Sequence, residues 1–194
     1  MKTEDIRESL IKGTIQTVSD VGIDRATTKL LATNANVNEV YIYRLFGGKE
    51  ELFRATYDYI DYQFASIILK NLKQSKSKSE NFETYTRVVF DNFWEFSLNN
   101  KEVCSFFIKY YYSRYYTKQI SDDRKKIYAK AMAIFSTAFK NGTDTWWLFN
   151  HILDVVFSSA VKVLRGEIED DKQTQENVFN LLLPAIKQYI KISS

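Results

Sequence analysis

A short stripe of polar, aliphatic and aromatic side chains contains the residue types that recognise base edges in DNA. On a helix that follows a tight turn, Glu39, Val40, Tyr43 and Arg44 share one face. An arginine donates to guanine or to a phosphate, a glutamate accepts from cytosine N4, and a valine packs on a thymine methyl group. The sequence therefore predicts a DNA-reading surface. A solvated surface charge is the alternative interpretation for Glu39.

A short helix and a turn must precede this stripe to position it. Thr28 is a suitable N-cap for a helix over residues 29–34, because its hydroxyl can accept from an amide of the first turn. A turn is predicted at residues 35–37. Asn36 is the residue there that best tolerates a left-handed backbone conformation.

A second short helix must present the stripe itself. Asn38 is expected to cap it, and it runs to about Leu45 before Gly47-Gly48 ends it. Isolated helices of this length are marginal in water, so neighbouring elements must hold both. A helix-turn-helix held by a scaffold is a known way to offer side chains to the major groove.

A third set of residues has a characteristic order and spacing over roughly the first 55 positions: Leu10-Ile11, Gly13-Thr14, Val18, Gly22, Thr27-Thr28, Ala32, Val37, Ile42-Tyr43, Phe46, Lys49-Glu50 and Leu52. This pattern resembles the TetR family of bacterial one-component repressors. The chain differs from the family in having Asn36 where glycine is usual, Val40 where a small residue is usual, and Tyr41 where Thr or Ser is usual.

The resemblance implies that Tyr43 and Lys49 contact phosphates. Thr27 and Thr28 suit a phosphate through hydroxyls and backbone amides. Alternatively, Tyr43 only packs and Thr28 only caps its helix. The predicted DNA-binding residues are Thr27, Thr28, Lys29, Asn38, Glu39, Val40, Tyr41, Tyr43, Arg44 and Lys49.

An all-α fold is predicted, because the 194-residue chain has only one proline and six glycines and mostly helical hydrophobic periodicity. About nine helices are expected: a three-helix helix-turn-helix domain over residues 1–50 and a helical ligand-binding and dimerisation domain over residues 51–194. Beyond the helix-turn-helix, helices are predicted at 4–20, 49–72, 81–98, 102–117, 122–140, 144–165 and 173–192, with a polar linker at 73–80 and a kink at Pro184.

The charge balance does not indicate a broad nucleic-acid-binding surface. The net charge is +3, and residues 1–55 contain eight Lys/Arg against eight Asp/Glu. DNA binding must therefore depend on a few charged groups at specific positions, and a dimer would double their number.

The single Cys104 fits a reducing cytoplasm, and acidic residues near the N-terminus argue against a signal peptide. No uncharged apolar run of 18 residues occurs, so no membrane span is expected.

Aromatic side chains concentrate in the C-terminal part of the chain. Ordinary core packing is favoured for any single one, but as a group they can frame a cavity for a small apolar or aromatic effector, as the resemblance also implies. His151 could hydrogen-bond the ligand or be a satisfied core group. The predicted ligand-binding residues are Phe93, Trp94, Phe107, Tyr110, Tyr111, Phe135, Phe139, Trp147 and His151.

The last two long helices are expected to pair with their symmetry mates in a homodimer, which the resemblance and the DNA argument both favour. The alternative is an intramolecular bundle. The predicted interface residues are Ile152, Val155, Val156, Ser159, Val163, Val178, Leu181, Leu182, Ala185 and Tyr189.

No enzyme class, cofactor or metal is predicted. One histidine and one cysteine far apart make no nucleophile pair, and neither Glu-x-x-His nor a glycine-rich phosphate loop occurs. We expect a repressor that binds a palindromic operator and is released when an effector tilts the helix beginning near Lys49. The alternative is a helical module that binds a ligand or a protein and has lost operator binding.

Overall fold

The chain is all-α. The computed structural model describes residues 3–74 and 82–191, and within them it contains nine α-helices. A 3-10 turn at Ser136–Ala138 and an isolated bridge between Phe139 and Ile190 complete the regular structure of that part. The helices are α1 (Thr3–Val21), α2 (Thr28–Asn34), α3 (Val40–Phe46), α4 (Lys49–Gln74), α5 (Phe82–Asn99), α6 (Lys101–Tyr111), α7 (Lys118–Phe135), α8 (Thr145–Leu164) and α9 (Lys172–Lys187). The predicted fold class is confirmed.

The described residues form two compact units. Unit 1 runs up to Tyr62 and includes Glu102–Asp122. Unit 2 consists of Gln63–Lys101 and the chain from Asp123 onward. The predicted domains, 1–50 and 51–194, divide the chain differently, because residues 51–62 and most of α6 belong to the same unit as the N-terminal helices.

The core of unit 1 is built on the predicted apolar face of α1. Leu10 and Val18 have no exposed surface. Leu31 of α2, Ile42 of α3 and Phe53 of α4 are buried as well. Each short helix therefore contributes apolar contacts that it could not make alone, which is what holds α2 and α3 in place.

The core of unit 2 is aromatic. Phe64 lies 5.6 Å from Phe93 and 5.1 Å from Phe157, measured between ring centroids. Arg124 is 1% exposed; its Nη1 donates to Asn150 Oδ1 at 3.1 Å, and its guanidinium lies 5.4 Å from the Trp146 ring centroid. The guanidinium is thus buried against an aromatic ring and remains hydrogen-bonded.

Four predicted helix boundaries are wrong. Helix α6 ends at Tyr111 instead of residue 117, because Ser113 forms a turn with Tyr110. Helix α7 covers 118–135 instead of 122–140, and α9 ends at Lys187 instead of 192. Backbone hydrogen bonds from Lys140 to Tyr189 and from Lys191 to Ala138 replace helical bonding there.

The predicted linker falls mostly outside the described residues. Residues 73 and 74 belong to α4, and residues 75–80 are not described. Residue 192, the predicted last residue of α9, is not described, but the described residues 188–191 are already non-helical. Pro184 lies inside α9, as predicted; the kink stays a prediction.

Helix α8 is the one described helix that is long and apolar enough, by length and composition, to cross a membrane. Seven of its residues, among them Leu148, Val156 and Ala160, are buried within the protein. The core helix of a soluble protein meets the same criterion, so the finding is weak evidence for a span.

Candidate DNA interface and apolar cavity

The N-cap of α2 is Thr27. Its backbone is extended, with φ −80° and ψ 154°, and its hydroxyl accepts from Leu30 N at 3.2 Å. The prediction that Thr28 is the cap is therefore wrong by one residue. Thr28 is already the first helical residue, and a cap needs a non-helical backbone to turn its hydroxyl toward the first amides.

The turn between α2 and α3 has the predicted form. Asn36 has φ 52°, which confirms the left-handed conformation predicted for it. Val37 N donates to Ala32 O at 3.0 Å, and this bond closes the end of α2. The turn packs closely on α1, since a Cβ added to Gly13 would lie 2.8 Å from both the Cβ and the amide nitrogen of Ala35.

Asn38 and Gly47 bound α3 as predicted. The Asn38 side-chain Oδ1 accepts from Val40 N at 2.9 Å. Glu39 has helical dihedral angles and makes no capping hydrogen bond. Gly47 has φ 92° and ends the helix by donating to Tyr43 O. Such a positive φ is a conformation that glycine adopts without strain.

The face of α3 that points away from the core carries Val40, Tyr43 and Arg44. Val40 is 65% exposed and Tyr43 is 57% exposed, whereas Ile42 is fully buried. Of the other predicted DNA-binding residues, Thr27, Lys29 and Asn38 are exposed, and Thr28, Glu39, Tyr41 and Lys49 are half-buried. The structure thus brings the predicted stripe to one surface.

Aromatic side chains in unit 1 surround Tyr57 of α4. Its ring stacks on Phe107 at 4.8 Å and lies 4.6 Å from Tyr110. Tyr111 contacts Tyr116 at 4.7 Å. Burial, with a smaller effect of Asp58, raises the pKa of Tyr110, so its hydroxyl stays protonated at neutral pH. These predicted ligand-binding residues therefore lie in a stacked cluster of unit 1.

Lys109 of α6 holds the end of α1, and sequence reasoning missed it. Its Nζ donates to Val18 O at 3.1 Å and to Ser19 O at 2.7 Å. Helix α1 has no basic residue in its own last turn. A cation that satisfies the last carbonyls of a helix is favourable there. The absence of a basic residue from the last turn of α1 is the only feature of the sequence that could have indicated this contact.

Unit 2 contains a small apolar cavity of about 60 Å³. Phe93 and Phe135, both predicted to bind ligand, line it, and Thr86 is the one residue of the lining with a polar side chain. Three residues predicted for the dimer interface line it too: Ile152, Val156 and Leu182. The remaining lining residues are Ile68, Val89, Phe90, Met132, Phe149, Leu153, Phe179 and Ile186.

The other predicted ligand-binding residues of unit 2 lie outside this lining. Trp94 is buried and stacks on Phe90 at 5.9 Å, and Phe139 is buried 4.6 Å from Phe135. Trp147 is 57% exposed and stacks on His151 at 5.7 Å with an interplanar angle of 4°. Sequence reasoning could not separate these positions, because each fits a helical apolar pattern.

Ionic side chains border two of the cavity residues. Arg87 Nη1 lies 2.6 Å from Glu176 Oε2, and Arg87 Nε lies 2.8 Å from Asp91 Oδ1. The guanidinium is 4.9 Å from the ring centroid of Phe179 and 5.9 Å from that of Phe90. The hydrogen bond from Arg87 lowers the pKa of Glu176, so this carboxylate is charged at neutral pH.

The predicted dimer residues divide by exposure. Val156, Val163, Val178 and Leu182 are buried within the protein, whereas Leu181 is 73% exposed. Ile152, Val155, Ser159, Ala185 and Tyr189 are half-buried. Partial desolvation raises the pKa of Asp154, an exposed residue one turn beyond His151 on α8.

The comparisons with known proteins agree with this geometry. Residues 10–56 match the family model described as bacterial regulatory proteins, tetR family, and this range contains α2, the turn and α3. This match identifies residues 10–56 as a TetR-family DNA-binding domain. The family model covers the segment in which the stripe on α3 is exposed.

Solved structures of TetR-family proteins share the fold over nearly the whole chain. A TetR-family transcription regulator from Marinobacter aquaeolei VT8 has a TM-score of 0.78 at 17% identity, covering 94% of this chain and 95% of its own. One from Shewanella sp. PV-4 described as putative has 0.74 at 15%, covering 93% and 97%. The fatty acid degradation regulator FadR from Bacillus halodurans has 0.66 at 14%, covering 91% and 97%. The chain thus has the fold of a TetR-family transcriptional regulator.

No group of three or more His, Cys, Asp or Glu side chains that could hold a metal ion occurs among residues 3–74 and 82–191. The family assignment points to a regulator, a class of protein that is typically not enzymatic.

Proposed function

We propose that this protein is a cytoplasmic transcriptional repressor that binds a palindromic operator as a homodimer and is released by a small apolar effector. The observation that carries the proposal is the exposed stripe on α3. Val40 and Tyr43 are large apolar or aromatic side chains that are exposed to solvent, while Ile42, which lies between them in the sequence, is fully buried. A core-packing role does not account for that arrangement, whereas insertion into a groove does.

Each residue of the stripe has a matching group on DNA. Arg44 and Val40 are exposed; we propose that Arg44 donates to guanine or to a phosphate and that Val40 packs on a thymine methyl group. Tyr43 and Lys49 are proposed to contact phosphates. Glu39 is half-buried and makes no capping bond, so it can accept from cytosine N4. One such contact contributes about 1–3 kcal/mol, so useful affinity requires two half-sites on a dimer.

The effector is proposed to enter the cavity of unit 2. Its lining is almost entirely hydrocarbon and aromatic, which favours an apolar molecule. One structural relative is described as a fatty acid degradation regulator, which is in keeping with an apolar effector. At about 60 Å³ the cavity is smaller than the roughly 150 Å³ that holds benzene in an engineered protein. Binding therefore requires lining side chains such as Met132 to move, which couples the ligand to a conformational change.

Release from DNA is proposed to act through α4. This helix begins at Lys49, directly after α3, and continues into unit 2. An effector that favours a different tilt of α4 would move the two α3 helices of a dimer out of register with the grooves. Shifting the population from 1:99 to 99:1 requires the effector to prefer the released state by roughly 5.5 kcal/mol.

The test begins with selection of a preferred duplex from a random pool by the wild-type protein. Fluorescence anisotropy then measures affinity for the selected and random duplexes across a salt series. We expect a selected palindrome, steep salt dependence, and a loss of about 1–3 kcal/mol in Arg44→Ala. Lys12→Ala, which removes an exposed cation of α1, serves as the control.

A helical binding module without operator binding is the competing function. The equal numbers of cations and carboxylates in residues 1–55 favour it. This alternative predicts no enriched duplex and no affinity to lose with salt. Such a result would contradict the proposed repressor.

A further inference from the structure

An ordered turn between α6 and α7 carries an exposed arginine in unit 1. Ser113 Oγ donates to Tyr110 O at 2.7 Å, and Tyr115 N donates to Ser113 Oγ at 3.1 Å. Tyr116 N donates to Ser113 O at 3.2 Å. These bonds fix the backbone on both sides of Arg114, so its position is determined by the turn.

Tyr115 anchors this turn to the first part of α4. Its side chain is buried, and its ring meets the edge of Phe53 at 5.4 Å. Lys49, the first residue of α4, places its Nζ 5.6 Å from the ring centroid of Phe53. The turn after α6 and the residues directly after α3 therefore share one packed cluster.

Two cations lie on the ring of Tyr115. Lys49 Nζ is 5.9 Å from its centroid and Arg114 Cζ is 5.0 Å from the same centroid, so the two are at most about 11 Å apart. Arg114 Nη2 also donates to Tyr115 Oη at 3.1 Å. The phenol thus holds the guanidinium within about 11 Å of the Lys49 ammonium while Arg114 stays exposed.

The turn adds positive charge to unit 1, whereas residues 1–55 contain equal numbers of cations and carboxylates. Residues 112–118, YSRYYTK, contain Arg114 and Lys118 and no carboxylate. The pKa of Arg114 is raised, first by its hydrogen bond to Tyr115 and further by Asp24 and Glu50, so it is a cation throughout any practical assay. Those two carboxylates weaken the long-range field, and the effect of Arg114 must therefore come from close contact.

We propose that Arg114 is a DNA-backbone contact outside the N-terminal domain, next to Lys49; this rests on the proposed operator binding. Phosphates of one strand follow one another every 3.4 Å or so along the duplex axis, so two cations within about 11 Å reach the same stretch of backbone. A phosphate contact positions the protein and carries no base preference. Arg114 therefore contributes to affinity for all duplexes alike.

The experiment compares wild type, Arg114→Gln and Arg114→Lys with a control, Arg165→Gln, by anisotropy over a salt series. Arg165 is an exposed arginine of unit 2, and the glutamine substitution removes the same charge there. Loss of one phosphate contact per protomer lowers the salt slope by about 2 for a dimer and weakens binding roughly tenfold. We expect this for Arg114→Gln on operator and random duplexes equally, with Arg114→Lys near wild type.

The outcomes separate this inference from the proposed function. If wild type binds DNA but Arg114→Gln has the same salt slope as Arg165→Gln, the backbone contact is overturned. A loss on the operator alone would also overturn it, because that is the behaviour of a base contact. If wild type binds no DNA at any salt, operator binding fails and the inference fails with it. Unchanged thermal unfolding of Arg114→Gln, followed by circular dichroism, is expected and excludes a folding defect.

Discussion

Gly13 is the residue at which the helix-turn-helix leaves no room for a side chain. An added Cβ would lie 2.8 Å from the amide nitrogen of Ala35 and 2.9 Å from its Cα. Backbone atoms cannot move aside as the tip of a flexible side chain can, so α1 and the turn would have to separate. The close approach is what sets the turn, and with it α3, on α1.

We expect Gly13→Ala to lower the free energy of unfolding. Overpacking costs about 1–3 kcal/mol, which exceeds the gain of ~1 kcal/mol from better helix propensity. Urea denaturation measures the difference. Gly48→Ala is the matched control, because its new Cβ would meet only the carboxylate tip of Glu51 at 3.0 Å. Equal stability of the two variants would contradict the close packing.

The stability of the folded protein is expected to depend on pH through Glu176. Its hydrogen bond from Arg87 lowers its pKa, so the folded state binds this proton less readily than the unfolded state. The stabilisation is present above the ordinary pKa of 4.5 and is lost as the pH falls through the lowered value. We expect Glu176→Gln to lower the thermal midpoint at pH 7 and to have little effect near pH 3.

Calorimetry at both pH values checks this, with Glu169→Gln as the control that removes an exposed carboxylate elsewhere. The pair Arg87–Glu176 is predicted to act only while the carboxylate is charged. An equal shift of the midpoint at pH 7 and pH 3 would show that the substitution acts through packing and not through charge.

At the scale of elements, the start of α2 depends on one hydroxyl. Thr27 is exposed and its side chain accepts from Leu30 N, whereas Thr28 is inside the helix. We expect Thr27→Ala to cost about 1 kcal/mol of stability, and Thr28→Ala to cost much less because alanine is the better helix former. Chemical denaturation of the two single variants decides it. A larger loss in Thr28→Ala would restore the cap that the sequence alone suggested.

Elements whose ends depend on local chemistry were predictable from the sequence. Asn36 and Gly47 were both recognised, because a left-handed residue is decided by the residue itself and its neighbours in the chain. Thr27 and Thr28 could not be distinguished, since both carry the same hydroxyl and only the backbone dihedral angles select the cap. The end of α9 was missed because a distant segment near Phe139 pairs with it.

The apolar sites were less predictable, for a tertiary reason. Phe93 and Phe107 are both buried phenylalanines on successive helices, yet Phe93 lines the cavity and Phe107 stacks on Tyr57. Helical periodicity gives the buried face of each helix but not the partner of that face. Arg114 had no periodic signal at all, because its placement depends on a turn and on the burial of Tyr115.

At the scale of the whole molecule, the proposed dimer requires a partner for the outer face of α8 and α9. Leu181 is 73% exposed. A partner surface that covers this side chain would remove its apolar area from water, which favours association. Trp147 on α8 is also exposed and apolar. We propose that a copy related by a twofold axis covers Leu181 in an isologous interface.

We expect Leu181→Glu to raise the dissociation constant of the dimer at least tenfold, equivalent to about 1.4 kcal/mol, and to weaken operator binding with it. Because the side chain is exposed, the thermal midpoint of dilute protein should stay close to that of wild type. Sedimentation equilibrium measures the association. Ile134→Glu, which changes an aliphatic side chain of α7 that is 44% exposed, is the matched control and should stay dimeric. If Ile134→Glu dissociates while Leu181→Glu does not, the dimer forms through α7, and the two α3 helices are then spaced by a different interface.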